Sequence, residues 1–212
     1  MKAYIYLDGE ILSQNITEHP APGDLSIAAD SGYFNAEKLG ERVDILLGDM
    51  DSLGEYSIPG EIEVINYPPE KDLTDAQLAV DIAIGRGADN IIFIGGLDGR
   101  LDHTLSLLGI LEDLGSRGIY AMALSGLNRV RYLKNSSVLI PRSGYKYLSV
   151  LACDEKVRGV SVEGCKYPLE NARLSRWLQY AVSNEIEGNC ALVSVRRGGI
   201  FIIESRDKAD GT

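Results

Sequence analysis

Carboxylates recur through the first half of the chain, each time just after a short apolar run. The tightest pair is Asp49 and Asp51, in Ile45-Leu46-Leu47-Gly48-Asp49-Met50-Asp51-Ser52. In extended chain, residues two apart point the same way. Two like charges aimed at one point need a cation or a proton between them. Just past the end of a buried strand, the pair would stand where open α/β sheets bind ligands. A polar turn capped by its own aspartates is the plainer alternative for this stretch taken alone.

The pair has companions. Asp30 lies in Ala29-Asp30-Ser31-Gly32. Asp72 and Asp75 lie in Lys71-Asp72-Leu73-Thr74-Asp75, and Asp98 and Asp102 in Gly95-Gly96-Leu97-Asp98-Gly99-Arg100-Leu101-Asp102-His103. Each group falls where a strand-like run gives way to a helix-like one. Four such groups at one edge of one sheet exceed what turn preference explains, and they point to a metal–phosphate site. Lys71 and Arg100 add local positive charge. Glycines such as Gly96 between a strand and a helix let backbone N–H groups approach a phosphate at the helix N-terminus. The Gly96-x-x-Gly99 spacing itself fits neither the dinucleotide fingerprint nor the P-loop. Asp75 also has a structural reading: Thr74 and Gln77 form a capping box, which puts Asp75 in the first turn of a helix. His103 reads rather better as a hydrogen-bonded core histidine than as a catalytic group. Hard oxygen donors beside cations suggest a Mg²⁺-dependent enzyme acting on a nucleoside polyphosphate, its aspartates able to hold one or two ions.

The elements that must carry these residues follow from periodicity. Strand-like runs occur at 3–7, 25–29, 45–48, 63–67, 90–94, about 119–124 and 129–134. Between them lie helical stretches from Tyr33 to a stop at Gly40, from Ala76 to Gly85, and one carrying Leu101, Leu105, Leu108 and Leu111 on a single stripe. Strands alternating with helices give an α/β fold with a mostly parallel open sheet flanked by helices. At Asn135-Ser136-Ser137 the texture changes to short β runs: 137–141, 145–152, 157–162, 191–195 and 199–204. This second part reads as a small all-β sandwich or barrel. The expected division is an α/β domain over 1–135 and an all-β domain over 136–212.

Bulk properties narrow the partners. The 212 residues carry a net charge of −10, so the molecule's field repels a phosphate backbone and nucleic acid is excluded as a partner. No apolar run reaches the roughly 18 residues of a membrane span. Three scattered cysteines and two histidines support neither a zinc site nor a disulfide framework. With no signal-peptide core at the N-terminus, the expected compartment is the cytoplasm.

Taken in order, these stretches resemble thiamine pyrophosphokinases. The resemblance rests on the four motifs above together with Lys166-Tyr167-Pro168-Leu169 and Val182-Ser183-Asn184-Glu185, and it covers most of the chain. Ser31 stands where the family pattern often has a second glycine. The resemblance implies a nucleotide-binding catalytic domain, a β-sandwich for thiamine binding and dimerisation, and a homodimer with active sites between subunits. It implies transfer of the pyrophosphoryl group of ATP to the thiamine hydroxyl, giving AMP and thiamine diphosphate. By the same resemblance Asp49, Asp51 and Asp75 hold Mg²⁺, with Asp30 close by. Lys71, Asp72, Gly96, Arg100 and Asp102 line the nucleotide and phosphate site, and Tyr167, Ser183 and Asn184 meet thiamine. Two alternatives stand beside it: a nucleotide pyrophosphohydrolase on the same scaffold, and a non-catalytic thiamine- or nucleotide-binding regulator.

Overall fold

The computed structural model describes residues 1–48, 59–67 and 72–208. Asp49, Asp51 and Lys71 lie outside them. Chain contacts divide the molecule into two compact units, Met1–Ile110 with Ile119–Gly126, and Leu111–Gly118 with Leu127–Thr212.

The first unit is built on six parallel strands: β1 (Lys2–Tyr6), β2 (Leu25–Ala29), β3 (Ile45–Gly48), β4 (Glu63–Asn66), β5 (Asn90–Ile94) and β6 (Tyr120–Leu124). Their order is β4-β3-β2-β1-β5-β6. The inner strands are near-continuous apolar runs because helices cover both faces of a parallel sheet; every residue of β3 is buried, as are the last four of β1, β2 and β5. Strand β4, at the edge, is mostly exposed. Helix α1 (Gly32–Leu39) stops at Gly40, whose φ of 71° suits a residue without Cβ. Its Tyr33 and Ala36 pack into one core with Tyr4, Tyr6, Leu46 and Ile92. Helix α2 (Asp75–Gly85) packs on β1, β2 and β3 through a face that includes the buried Ala79, Val80 and Ala83. Its start is the expected capping box: Gln77 N–H donates to Thr74 Oγ1 at 3.3 Å, and Thr74 N–H donates to Gln77 Oε1 at 3.1 Å.

Helix α3 (Leu101–Ser116) is the third expected helix. The stripe of Leu101, Leu105, Leu108 and Leu111 is not its core face, since Leu101 is 70% and Leu105 59% exposed. The buried set is Leu107, Ile110, Leu111 and Leu114. Both sets have helical spacing, so leucine periodicity alone does not choose between them.

The second unit holds β7 (Asn128–Lys134), β8 (Ser137–Pro141), β9 (Tyr147–Ala152), β10 (Val157–Glu163), β11 (Leu169–Leu174), β12 (Cys190–Arg197) and β13 (Gly199–Ser205). Antiparallel pairing joins β7, β13 and β9 on one side, and β11, β10, β12 and β8 on the other. Val150, Ala152, Ile200 and Ile202 from the first set share a core with Val160, Val162, Val193 and Val195 from the second. This is the expected sandwich, with inward residues alternating along each strand. Strand β7, read from sequence as completing the α/β half, falls in the second unit, where it pairs with β13. A buried charge cluster ties these two strands: Glu204 accepts from Arg131 at 2.6 Å and from Arg129 at 3.0 Å. Cys153 and Cys165 are buried, and all three cysteines are free thiols. Burial pushes the Cys153 thiol up to about 12, which makes it an inert packing group.

Candidate active site

Strand order locates the site in the first unit. From β1 the chain steps outward to β2, β3 and β4, then returns to β5 on the other side of β1. Between β1 and β5 the winding reverses, and the crevice outside the carboxyl ends of strands at such a point is where open α/β sheets bind ligands. The carboxyl end of β1 leads into Leu7-Asp8-Gly9 and that of β5 into Gly95-Gly96. Gly96 N–H donates to Asp8 O at 2.7 Å, and Leu7 N–H donates to Ile94 O at 2.8 Å. Asn35 of α1, nearly buried, braces the same turn, its amide donating to Leu7 O at 2.7 Å and Gly9 O at 3.0 Å. Asp8, Gly9 and Asn35 were not picked out from sequence. The available signal was an Asp-Gly pair straight after the first buried strand, the pattern that made Asp30 and Asp49 conspicuous.

Gly96 behaves differently from a simple phosphate-cradling glycine. Its N–H is committed to Asp8 and that of Gly95 to Leu124 O at 3.0 Å. What requires glycine at 96 is a φ of 73° and close packing, for a Cβ there would press on Leu7 and Leu107 at 2.9 Å.

Asp30 follows β2 directly and adopts φ 47°, a left-handed conformation costly for a residue with a side chain. Its N–H donates to Leu47 O at 2.8 Å. The carboxylate lies against Gly48, where any Cβ would overlap it. Asp30 is thus brought to Gly48, the last residue of β3. Asp75 stands half-buried in the first turn of α2, on the helix's positive end, and Asp72 is exposed in the approach to it.

Arg100 and Asp102 form an exposed two-pronged pair at the N-terminus of α3. Nη2 donates to Oδ2 at 2.6 Å and Nε to Oδ1 at 3.2 Å. Arg100 holds the Asp102 carboxyl down at about 2, helped by the His103 N–H, which donates to Asp102 at 3.0 Å. His103 is exposed on the first turn of α3, which overturns the reading of it as a core histidine.

The second unit contains a cleft of about 100 Å³. Its floor is Leu148, Val150, Val162 and Leu169, and its lips carry Tyr167 and Tyr180. Tyr167 and Asn184, expected to act together, do meet here. Asn184 is buried, and its side chain is spent on backbone: Oδ1 accepts from Tyr167 N–H at 3.0 Å and Glu185 N–H at 2.9 Å, while Nδ2 donates to Tyr167 O at 2.7 Å. It clamps Tyr167 in place. Ser183 is exposed, with φ 55°, and its N–H donates to Ser149 Oγ at 3.0 Å.

Comparison with known proteins decides the family. A family model for the thiamin pyrophosphokinase catalytic domain matches residues 21–122, and one for the thiamin pyrophosphokinase vitamin B1 binding domain matches residues 136–200. The chain belongs to the thiamine pyrophosphokinase family. Among the family's members, the thiamine pyrophosphokinase of Bacillus subtilis (strain 168) is 26% identical over 201 residues, which are 92% of this chain and 94% of the relative. The crystal structure of thiamine pyrophosphokinase from Bacillus subtilis superposes with a TM-score of 0.84 at 25% identity, covering 98% of this chain and all of that one. That of a thiamin pyrophosphokinase family protein from Enterococcus faecalis gives 0.81 at 26% identity, over 98% and 99% of the two chains. Family membership makes this chain an enzyme; the model described as catalytic matches within its α/β part, and the one described as vitamin B1 binding matches within its sandwich.

Proposed function

We propose that this enzyme transfers an intact pyrophosphoryl group from ATP to the hydroxyl of thiamine, in the presence of Mg²⁺, as a cytoplasmic homodimer with active sites between subunits. The observation that carries the reading is the presence in one chain of both regions: a carboxylate-bearing edge of a parallel sheet, and a sandwich with an aromatic cleft that matches a vitamin-binding domain. A hydrolase using water as acceptor has no need of the second.

The reaction asks for little covalent chemistry. The thiamine hydroxyl oxygen bonds to the β-phosphorus, the bond from that phosphorus to the α–β bridging oxygen breaks, and AMP leaves with the electron pair. The hydroxyl proton passes to a nearby carboxylate or to water. Such transfers depend on positioning and charge stabilisation. Arg100 is suited to the phosphates because its fork presents paired donors; in the protein alone Asp102 keeps that fork in one orientation.

The donor set fits Mg²⁺ in kind, since every candidate ligand is a carboxylate oxygen. Gly48 leaves room for the Asp30 carboxylate at the end of β3. Among the described residues no three metal-binding side chains come together; by the family resemblance the ligands would be Asp49 and Asp51 with Asp75. Bound there, the ion would neutralise charge on the polyphosphate.

The test is an assay of purified protein with ATP, Mg²⁺ and thiamine, with products separated by chromatography. AMP and thiamine diphosphate in equal amounts are expected. ADP with thiamine monophosphate, or AMP formed without thiamine, would overturn the reading.

A further inference from the structure

The aromatic cleft of the second unit has a wall that the motifs do not mark. Tyr180 lies outside both Lys166-Tyr167-Pro168-Leu169 and Val182-Ser183-Asn184-Glu185, yet it lines the cleft with Tyr167. The two rings are 48% and 60% exposed, so both present a free face at the mouth of the cleft.

Tyr180 is held firmly. Its hydroxyl donates to Arg173 O at 2.9 Å. On one side Gln179 is stapled to the end of β9, its Oε1 accepting from Ala152 N–H at 3.1 Å and its Nε2 donating to Ala152 O at 3.2 Å. On the other side Ala181 O accepts from Val150 N–H at 2.7 Å, and Asn184 exchanges two backbone hydrogen bonds with Leu148. Tyr167 is fixed by the Asn184 clamp. Tyr180 is therefore anchored by its own hydroxyl, and Tyr167 by its backbone, before any ligand arrives, which reduces the ordering cost of binding.

The cleft's chemistry is equally restricted. Its floor is aliphatic, and its buried amide, Asn184, is already committed to backbone. A cleft of about 100 Å³ is well short of the roughly 300 Å³ of a drug-sized site, so it takes one ring and not two linked ones. Tyrosine faces attract a delocalised cation and stack on heteroaromatic rings.

We propose that Tyr180 is a specificity-determining residue of the acceptor site, closing the cleft opposite Tyr167 around a single flat ring of the acceptor. This rests on the assignment of thiamine as acceptor, and the test separates the two. Thiamine is titrated by calorimetry, without nucleotide, into the wild type, Tyr180→Ala and Tyr180→Phe, and saturation kinetics are measured for thiamine and for ATP. Tyr180→Ala should weaken thiamine binding and raise its KM about tenfold, with KM for ATP within twofold of wild type and an unchanged melting temperature. Tyr180→Phe keeps the ring but loses its anchor, so it should recover most of that loss. Equal thiamine affinity in wild type and Tyr180→Ala would overturn the inference even where pyrophosphoryl transfer is confirmed. Absence of thiamine binding by the wild type would overturn it as well. Binding that is lost in Tyr180→Ala, in a protein that transfers nothing, would uphold Tyr180 and sink the transferase reading.

Discussion

Asp49 and Asp51 are the first two of the proposed metal ligands. Each Asn substitution keeps the shape and removes the charge, so turnover should fall at least about a hundredfold while the melting curve stays put. Near-normal rates in both variants would remove the metal assignment. Asp102 makes a different prediction. Its carboxyl is lowered in the folded protein from 3.8 to about 2, mainly by Arg100. A lowered carboxyl pKa means that the pair's contribution is complete above about pH 4 and is lost as pH falls towards 2. Any acid limb in the pH–rate profile above pH 4 therefore belongs to another group, and Asp102→Asn should lower the rate without moving that limb. That Asp30, Asp75, Arg100 and Asp102 stand at strand-to-helix junctions was legible in sequence, because charge at such a junction is a local signal. The commitment of the Gly96 amide was not, since its partner is the Asp8 carbonyl, 88 residues earlier in the chain. The role of Asn184 shared that difficulty: as a residue type it suits ligand contact, and only the folded chain shows its amide clamped on Tyr167.

The helix that presents Asp75 illustrates how much an element can reveal. Its capping box was readable from Thr74 and Gln77, and both hydrogen bonds are present. Thr74→Ala should cost about 1 kcal/mol of stability, measured by urea unfolding, and should lower turnover by loosening the turn that holds Asp75. Helical spacing alone does not pick out a buried face. The leucine stripe on α3 and its true buried face are both helically spaced, and the choice between them is made by what the helix packs on. Strand β11 went unread because Leu169-Glu170-Asn171-Ala172-Arg173-Leu174 is short of β-branched and aromatic residues and sits at the edge of its sheet, largely exposed. Pairing with β10 makes it a strand, and that pairing is not visible in its own residues.

At the scale of the molecule, both halves and their fold classes could be read from the change in texture near residue 135. The point of winding reversal could not, because strand order is a long-range property. Asp49-Met50-Asp51 drew attention first, yet it follows β3, two strands from the reversal between β1 and β5. The net charge of −10 is also a property of the whole. It attracts a cationic acceptor from a distance and repels a polyphosphate, and salt screens both effects. Raising ionic strength from 10 to 150 mM should thus lower kcat/KM for thiamine about twofold and leave that for ATP equal or higher. A parallel fall for both would show that local charge, not the global field, governs capture. The segment at 179–184 has one more consequence. Strand β9 ends its sheet, and this segment occupies part of its outer hydrogen-bonding edge through Ala181 and Asn184. Exposed edges of this kind recruit other chains into extended aggregates. Variants selected to admit bulkier acceptors by loosening this segment would uncover the strand as they gained room. The range of acceptors open to adaptation is therefore limited by solubility as much as by fit.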